Sequence, residues 1–294
     1  MATAAVSFAR PGHGLVSRLG RHPEGRIALA LLVFMGLVAL AGPRAVPYGP
    51  NQINAEDVLQ GPSTRHWFGT DELGRDQLSR VIAAAPIAFY VSGASVAAAL
   101  VIGTAIGLVA GYAGGLVDIV LSWIVGIMFS MPALLLALVV VGVLGPGLNN
   151  ALFAVAIVYV PRFARIARAS TFGVRQRLFI EAAHLAGRRP HEILLEHVLP
   201  NILPAVIIQT ALSLSTAELA HASLSFLGLG VQPPDADWGS MLAKARGIMT
   251  VAPWLVVFPS LALVLLIIAF NVLGDALRDE LDPRAQTGAM RIGI

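Results

Sequence analysis

The chain has 294 residues, 56% hydrophobic and only 13% charged, with a mean hydropathy of +0.77 and a formal net charge of +3. Soluble domains carry about 25% charged residues, so this composition excludes a soluble globular protein and points to an integral protein of a lipid bilayer. No cysteine is present, which excludes a disulfide framework, a zinc knuckle, a thiolate nucleophile and an iron–sulfur site. The small basic excess flanks apolar runs, so the charge does not point to nucleic acid as a partner.

A basic tail (1–25) with Arg10, Arg18 and Arg21 precedes an apolar run over 27–41. It has the outline of a signal peptide, but no A-x-A-like site follows; Gly42–Pro43–Arg44 comes instead. It is read as a retained first span, 26–43. The segment 44–87 is the longest polar insertion. Tyr48–Gly–Pro–Asn and Gly61–Pro–Ser punctuate it as turns. Thr70 can cap a helix from Asp71 to about Ala84, with favourable pairs Glu72–Arg75 and Asp76–Arg80 worth about 0.2–0.5 kcal/mol each. Leu73, Val81 and Ile82, with Trp67 and Phe68 nearby, give it an apolar side. That pattern predicts a helix lying along the membrane interface.

A crossing helix needs about 20 apolar residues. The run 119–161 is too long for one, and Gly142, Gly145–Pro146–Gly147 and Asn149–Asn150 divide it. The remaining spans are placed at 88–111, 118–143, 150–168, 202–227 and 254–275. They form a core over 88–276, followed by a tail, 277–294. The expected fold is all-α, with six transmembrane helices. Six spans put both termini on one side, and that side receives 14 of the 20 Lys and Arg residues. By the positive-inside rule it is cytoplasmic.

The loop 169–201 carries the densest pattern. Arg162, Arg165 and Arg168 close the preceding span about a turn apart, which suits a negatively charged leaflet. A short helix then contains Glu181–Ala182–Ala183, with small residues that let a partner approach. Gly187 supplies the positive φ that ends a helix. Arg188–Arg189–Pro190 restarts one, with proline in the first turn and Glu192 at the favourable end. Ile193, Leu194, Leu195 and Val198 give the second helix an apolar side, and Pro200 and Pro204 lead into the next span. On residues alone this is either an amphipathic interfacial loop or a handle offered to a soluble partner.

The spacing Glu–Ala–Ala–x3–Gly–x9–His–x–Leu–Pro, from Glu181 to Pro200, resembles the EAA loop of ABC-importer permeases. His66–Trp–Phe–Gly–Thr–Asp–Glu–Leu–Gly–Arg–Asp76, Gly111–Tyr–Ala–Gly–Gly–Leu–Val–Asp118, Ser223–Leu–Ser–Phe–Leu–Gly–Leu–Gly–Val–Gln–Pro–Pro234 and the C-terminal stretch Asn271–Asp275 through Asp282–Pro283–Arg284 resemble the dipeptide/oligopeptide/nickel permeases. Over roughly 20–284 the likeness is closest to C-type dipeptide permease subunits. The resemblance implies the type I permease fold with a cytoplasmic coupling helix, in a bacterial plasma membrane. It also implies a second homologous permease, cytoplasmic ATPase subunits and an external substrate-binding protein as partners. Glu181, Ala182, Ala183, Gly187, Arg188 and Arg189 would form the ATPase contact. ATP binding would pull on that contact and rock the helices between outward and inward access.

The chain departs from the family pattern at two positions. His221 stands where the pattern has Glu, and Glu218, one turn earlier, where an apolar residue is usual. Both share a helix face at i,i+3. They are either a mutually satisfied pair inside the bundle or, with Ser225, part of an outer gate that meets peptide ammonium groups. No Gly-x4-Gly-Lys-Ser/Thr loop is present, so ATP hydrolysis would fall to a partner and this chain would be no enzyme. His184, His191 and His197 lack metal spacing, and no cofactor is implied. A secondary transporter would need internal repeats and broken helices with polar cores. A purely structural assembly subunit is a further alternative. Within the family, dipeptide, oligopeptide, nickel chelate and haem all remain open.

Overall fold

The computed structural model describes residues 23–281; among them every regular element is helical. The termini carrying Arg10, Arg18, Arg21 and Asp282–Pro283–Arg284 fall outside those residues. Five helices are long and apolar enough to cross a membrane, and one bent pair makes a possible sixth span. In order the helices are α1 (Pro23–Ala45), α2 (Gln77–Ala113), α3 (Gly115–Ser130), α4 (Ala133–Leu144), α5 (Leu148–Arg175), α6 (Leu178–Leu185), α7 (Leu199–Phe226), α8 (Trp238–Ala245) and α9 (Trp254–Leu281).

The pair α2 and α5, running in the same direction, is the spine. Gly103, Gly107 and Gly111 recur every fourth residue and so share one face of α2. A Cβ at these positions would lie 2.5, 2.4 and 2.7 Å from the carbonyl oxygens of Val160, Ala164 and Arg168. The two backbones are therefore in contact, the arrangement that small residues permit between membrane helices. α7 and α9 pack beside this pair. Leu224, Ile202, Phe163 and Leu266 are wholly buried between them.

The expected straight span 118–143 is instead two helices meeting at 93°. Met131 is extended (φ −94°, ψ 138°) and Pro132 follows it. A residue before proline is pushed out of the helical region, and that explains the break.

The expected interfacial helix also needs correction. Asp76, not Thr70, caps the helix, accepting from the Ser79 amide at 2.8 Å, and α2 then runs unbroken through Pro86 to Ala113. The Thr70 hydroxyl instead takes the Gln60 amide at 2.9 Å and donates to the Asp57 carbonyl. Arg75 pairs with Asp71 at 2.7 Å rather than with Glu72. Arg80 reaches the Pro50 carbonyl at 2.9 Å and Asn51 at 3.0 Å rather than Asp76. Residues 46–76 thus form an irregular crown stitched to the C-terminal half. Trp254 Nε1 donates to the Thr70 carbonyl, Trp238 Nε1 to that of Val81 and Gln77 Nε2 to that of Leu255. Phe68 stacks on Phe258 with centroids 3.8 Å apart.

Candidate functional site

Two places carry the residues singled out above, one at each end of the bundle. The handle lies at the end where α2 and α5 finish. Helix α6 ends in a Schellman motif: the Arg188 amide donates to the Ala183 carbonyl and the Gly187 amide to that of His184. This geometry requires a left-handed residue, and Gly187 has φ +76°. Arg189 then caps a new turn with Pro190 at its first position, and the Glu192 carboxylate accepts from the Arg189 amide at 3.1 Å.

The exposed side of α6 presents Glu181 and Ala182 between Leu178 and Leu185, which are 82% and 86% exposed. Gly187, Arg188 and Arg189 continue that exposed surface. Ala183 does not: it turns inward beside the buried Ile180. Of the two alanines, only Ala182 is open to a partner. Arg188 lies 3.2 Å from Glu196 and 3.7 Å from Glu192. His184 stacks on Tyr112, whose hydroxyl lies 3.2 Å from Nε2, so α6 is tied directly to the end of α2.

Between handle and span, Ile193–Val198 winds as a π-helix. Ile193 and Val198 are fully buried while Leu195 is 60% exposed. Pro200 and Pro204 follow at once and have no amide hydrogen to give the preceding turn. A π segment is rare and costly, and such segments concentrate at functional sites.

At the crown end of α7, Glu218, His221 and Ser225 are each 1% exposed or less. They share a face, as expected, but the predicted Glu218–His221 pair is not what His221 makes. His221 Nε2 lies 3.0 Å from Asp237 Oδ1. Asp237 also caps α8 through the Ser240 amide at 3.0 Å. Burial opposes the charge on Asp237, but His221 and the Ser240 amide outweigh it and hold the carboxyl below its ordinary range. The Ser225 hydroxyl is near enough to help, without the geometry of a hydrogen bond. Glu218 Oε2 and His221 Nδ1 have no hydrogen-bond partner. The turn after α7 presses back on this cluster: a Cβ on Gly230 would lie 1.8 Å from Ser225 Oγ, and one on Gly239 2.3 Å from the Ala222 carbonyl. Asp237 and Tyr112 were not among the candidate site residues read from sequence. Each meets its histidine only through tertiary packing, 16 and 72 positions away.

The three arginines expected to close the span lie within α5, which runs on to Arg175, and they take different partners. Arg162 lies over the Tyr159 ring and reaches Thr216 Oγ1, Arg165 lies over Phe129, and Arg168 forms a two-pronged pair with Asp118. Among the described residues no group of three His, Asp or Glu is placed to hold a metal ion.

Comparison with known proteins agrees with this architecture. Residues 103–287 match the family described as binding-protein-dependent transport system inner membrane component. The dipeptide transport system permease protein DppC of Alkalihalophilus pseudofirmus is 41% identical over 277 residues, covering 94% of this chain and 91% of the relative. The glutathione transport system permease protein GsiD of Escherichia coli O157:H7 is 41% identical over 275 residues, covering 93% and 91%. An inward-facing structure of the MetNI methionine ABC transporter superposes with a TM-score of 0.58 at 19% identity, over 69% of this chain and 96% of that one, and so shares its fold. With a matching family over most of its length and relatives aligned almost end to end, the chain belongs to the inner-membrane components of binding-protein-dependent transport systems, the multi-pass permeases of ABC importers.

Proposed function

We propose that this chain is one of two different permease subunits of an ATP-driven importer for dipeptides or short oligopeptides. The peptide-transporting relatives on both sides of the comparison, named for dipeptide and for glutathione, support that substrate class. The observation that carries the coupling role is the exposed surface of α6. Two nearly bare leucines flank Glu181 and Ala182 on a helix of eight residues, too short to cross a membrane. Apolar side chains so placed suit burial against another protein. A cytoplasmic ATPase docks there in this reading, through Glu181, Ala182, Gly187, Arg188 and Arg189. The handle and both termini face the cytoplasm, where the basic residues concentrate. A homologous permease completes the pathway, and a binding protein delivers peptide from outside. Glu218, His221 and Ser225 belong to the outer gate.

The test is purification of the tagged full-length chain in mild detergent, with mass spectrometry of what accompanies it, alongside uptake of a labelled dipeptide by cells. An ATP-binding subunit and a second permease should co-purify, and should be lost when Glu181 and Gly187 are replaced. Recovery of the chain alone, with variants behaving as wild type, would refute the coupling role. Absence of dipeptide uptake with an intact complex would refute only the substrate.

A further inference from the structure

A cavity of about 190 Å³ opens between α2, α3 and α5 near the handle end. Its floor is thin because Gly107 and Ala164 lie at the backbone contact of α2 and α5. One wall carries Arg165 and Arg168, and the other Ser122 and Gly126. Arg168 spends two of its nitrogens on Asp118, and Ser122 donates to the same carboxylate at 3.1 Å. Arg165 differs. Its guanidinium carbon sits 3.8 Å from the centre of the Phe129 ring. A ring contact leaves the N–H donors along the guanidinium edge open. Among the described residues no carboxylate pairs with Arg165, so the group formed by Asp118, Arg165 and Arg168 keeps one surplus positive charge.

The depth of the cavity narrows the ligand. Gly107 lies six residues before the end of α2 at Ala113, about 9 Å along the axis at 1.5 Å per residue. That places the arginines near the headgroup level of the leaflet next to the α2–α3 turn. Beside the cavity, Leu116, Ile119 and Trp123 expose an apolar strip on α3, each 64–79% exposed. Donors at headgroup depth with apolar surface alongside match a charged head joined to hydrocarbon chains, and basic pockets between membrane helices hold anionic headgroups.

We propose that this cavity binds the phosphate of an anionic phospholipid through Arg165 and the free nitrogen of Arg168, with an acyl chain lying along α3. Assigning the lipid to the cytoplasmic leaflet rests on the orientation proposed above. Binding in detergent does not depend on orientation, so the two readings fail separately.

The experiment is native mass spectrometry of the full-length protein, alone and in its purified complex, titrated with phosphatidylglycerol, phosphatidylcholine or glycerol 3-phosphate. Phosphatidylglycerol should be retained in preference to phosphatidylcholine in both preparations. Arg165→Gln should weaken it about fivefold, the loss of one basic residue's attraction. Gly126→Leu is the second variant. A Cβ there meets nothing within 4 Å, so the side chain can fill the cavity without disturbing the fold, and retention should fall comparably. Equal retention of both lipids, or no change in either variant, would overturn the proposal. Competition by glycerol 3-phosphate at equal strength would assign the site to a soluble phosphate instead. Loss of selective binding in the complex would assign that face to the partner subunit.

Discussion

Gly107 and Ala164 stand so close that a single methyl group on Gly107 would lie 2.4 Å from the Ala164 carbonyl oxygen. Backbone cannot yield as a flexible side chain can. Gly107→Val should therefore destabilise the protein by about 1–3 kcal/mol, the range for overpacked sites, read as a lower thermal midpoint in detergent. Gly93 on the same helix faces open space, so Gly93→Ala should move stability by less than about 1 kcal/mol. Equal effects would show that the α2–α5 contact does not hold the bundle together.

At Gly187 the constraint is purely conformational, because φ is +76° and a side chain would meet nothing within 4 Å. Asn, which tolerates the left-handed region, should support transport; Val, which is strained there, should abolish it while leaving membrane insertion intact. Uptake by the Val variant equal to wild type would sink the handle mechanism.

His221 and Asp237 should behave as a coupled pair. Replacing either by Ala leaves the other buried without its partner, at about 1–3 kcal/mol. The double variant should cost less than the sum, with an interaction of about 0.5–3 kcal/mol. Asp237→Asn should be milder than Asp237→Ala, since Asn can still cap α8. Additive losses in a double-mutant cycle would contradict the pairing.

Glu218 supplies the matching functional test. With one carboxylate oxygen buried and unpartnered, it is a poor structural element, which suits the proposed gate role. Glu218→Gln should lower peptide uptake several-fold while complex assembly, followed by co-purification, stays unchanged. Unchanged uptake and assembly together would remove Glu218 from the gate.

Much of this architecture was legible from sequence because membrane spans are set by composition over long windows, and those windows average away local detail. The backbone of the loop after α5 was legible for the opposite reason: Gly187, Pro190 and Glu192 each suit one specific backbone position. Errors came where a polar side chain had several possible partners. Thr70 and Asp76 are both capable caps, and only the crown's packing decides that Thr70 serves Gln60 while Asp76 serves Ser79. The break at Met131–Pro132 and the Gly103–Gly107–Gly111 face are written in the residues, but the run around each reads as uniformly apolar. Asp237 was out of reach: nothing in a loop aspartate announces a histidine sixteen residues earlier, in the closing turns of a membrane helix.

The crown has a consequence for how the chain is made. The carbonyl of Thr70 waits for a tryptophan 184 positions later, that of Val81 for one 157 positions later, and Gln77 for a carbonyl 178 positions later. Contacts this distant along the chain form slowly and late. A ribosome that has released the first two spans has not yet supplied what completes the segment between them. That segment remains unfinished until the final helix emerges, so a truncation near residue 250 would first damage structure built from residues 60–80.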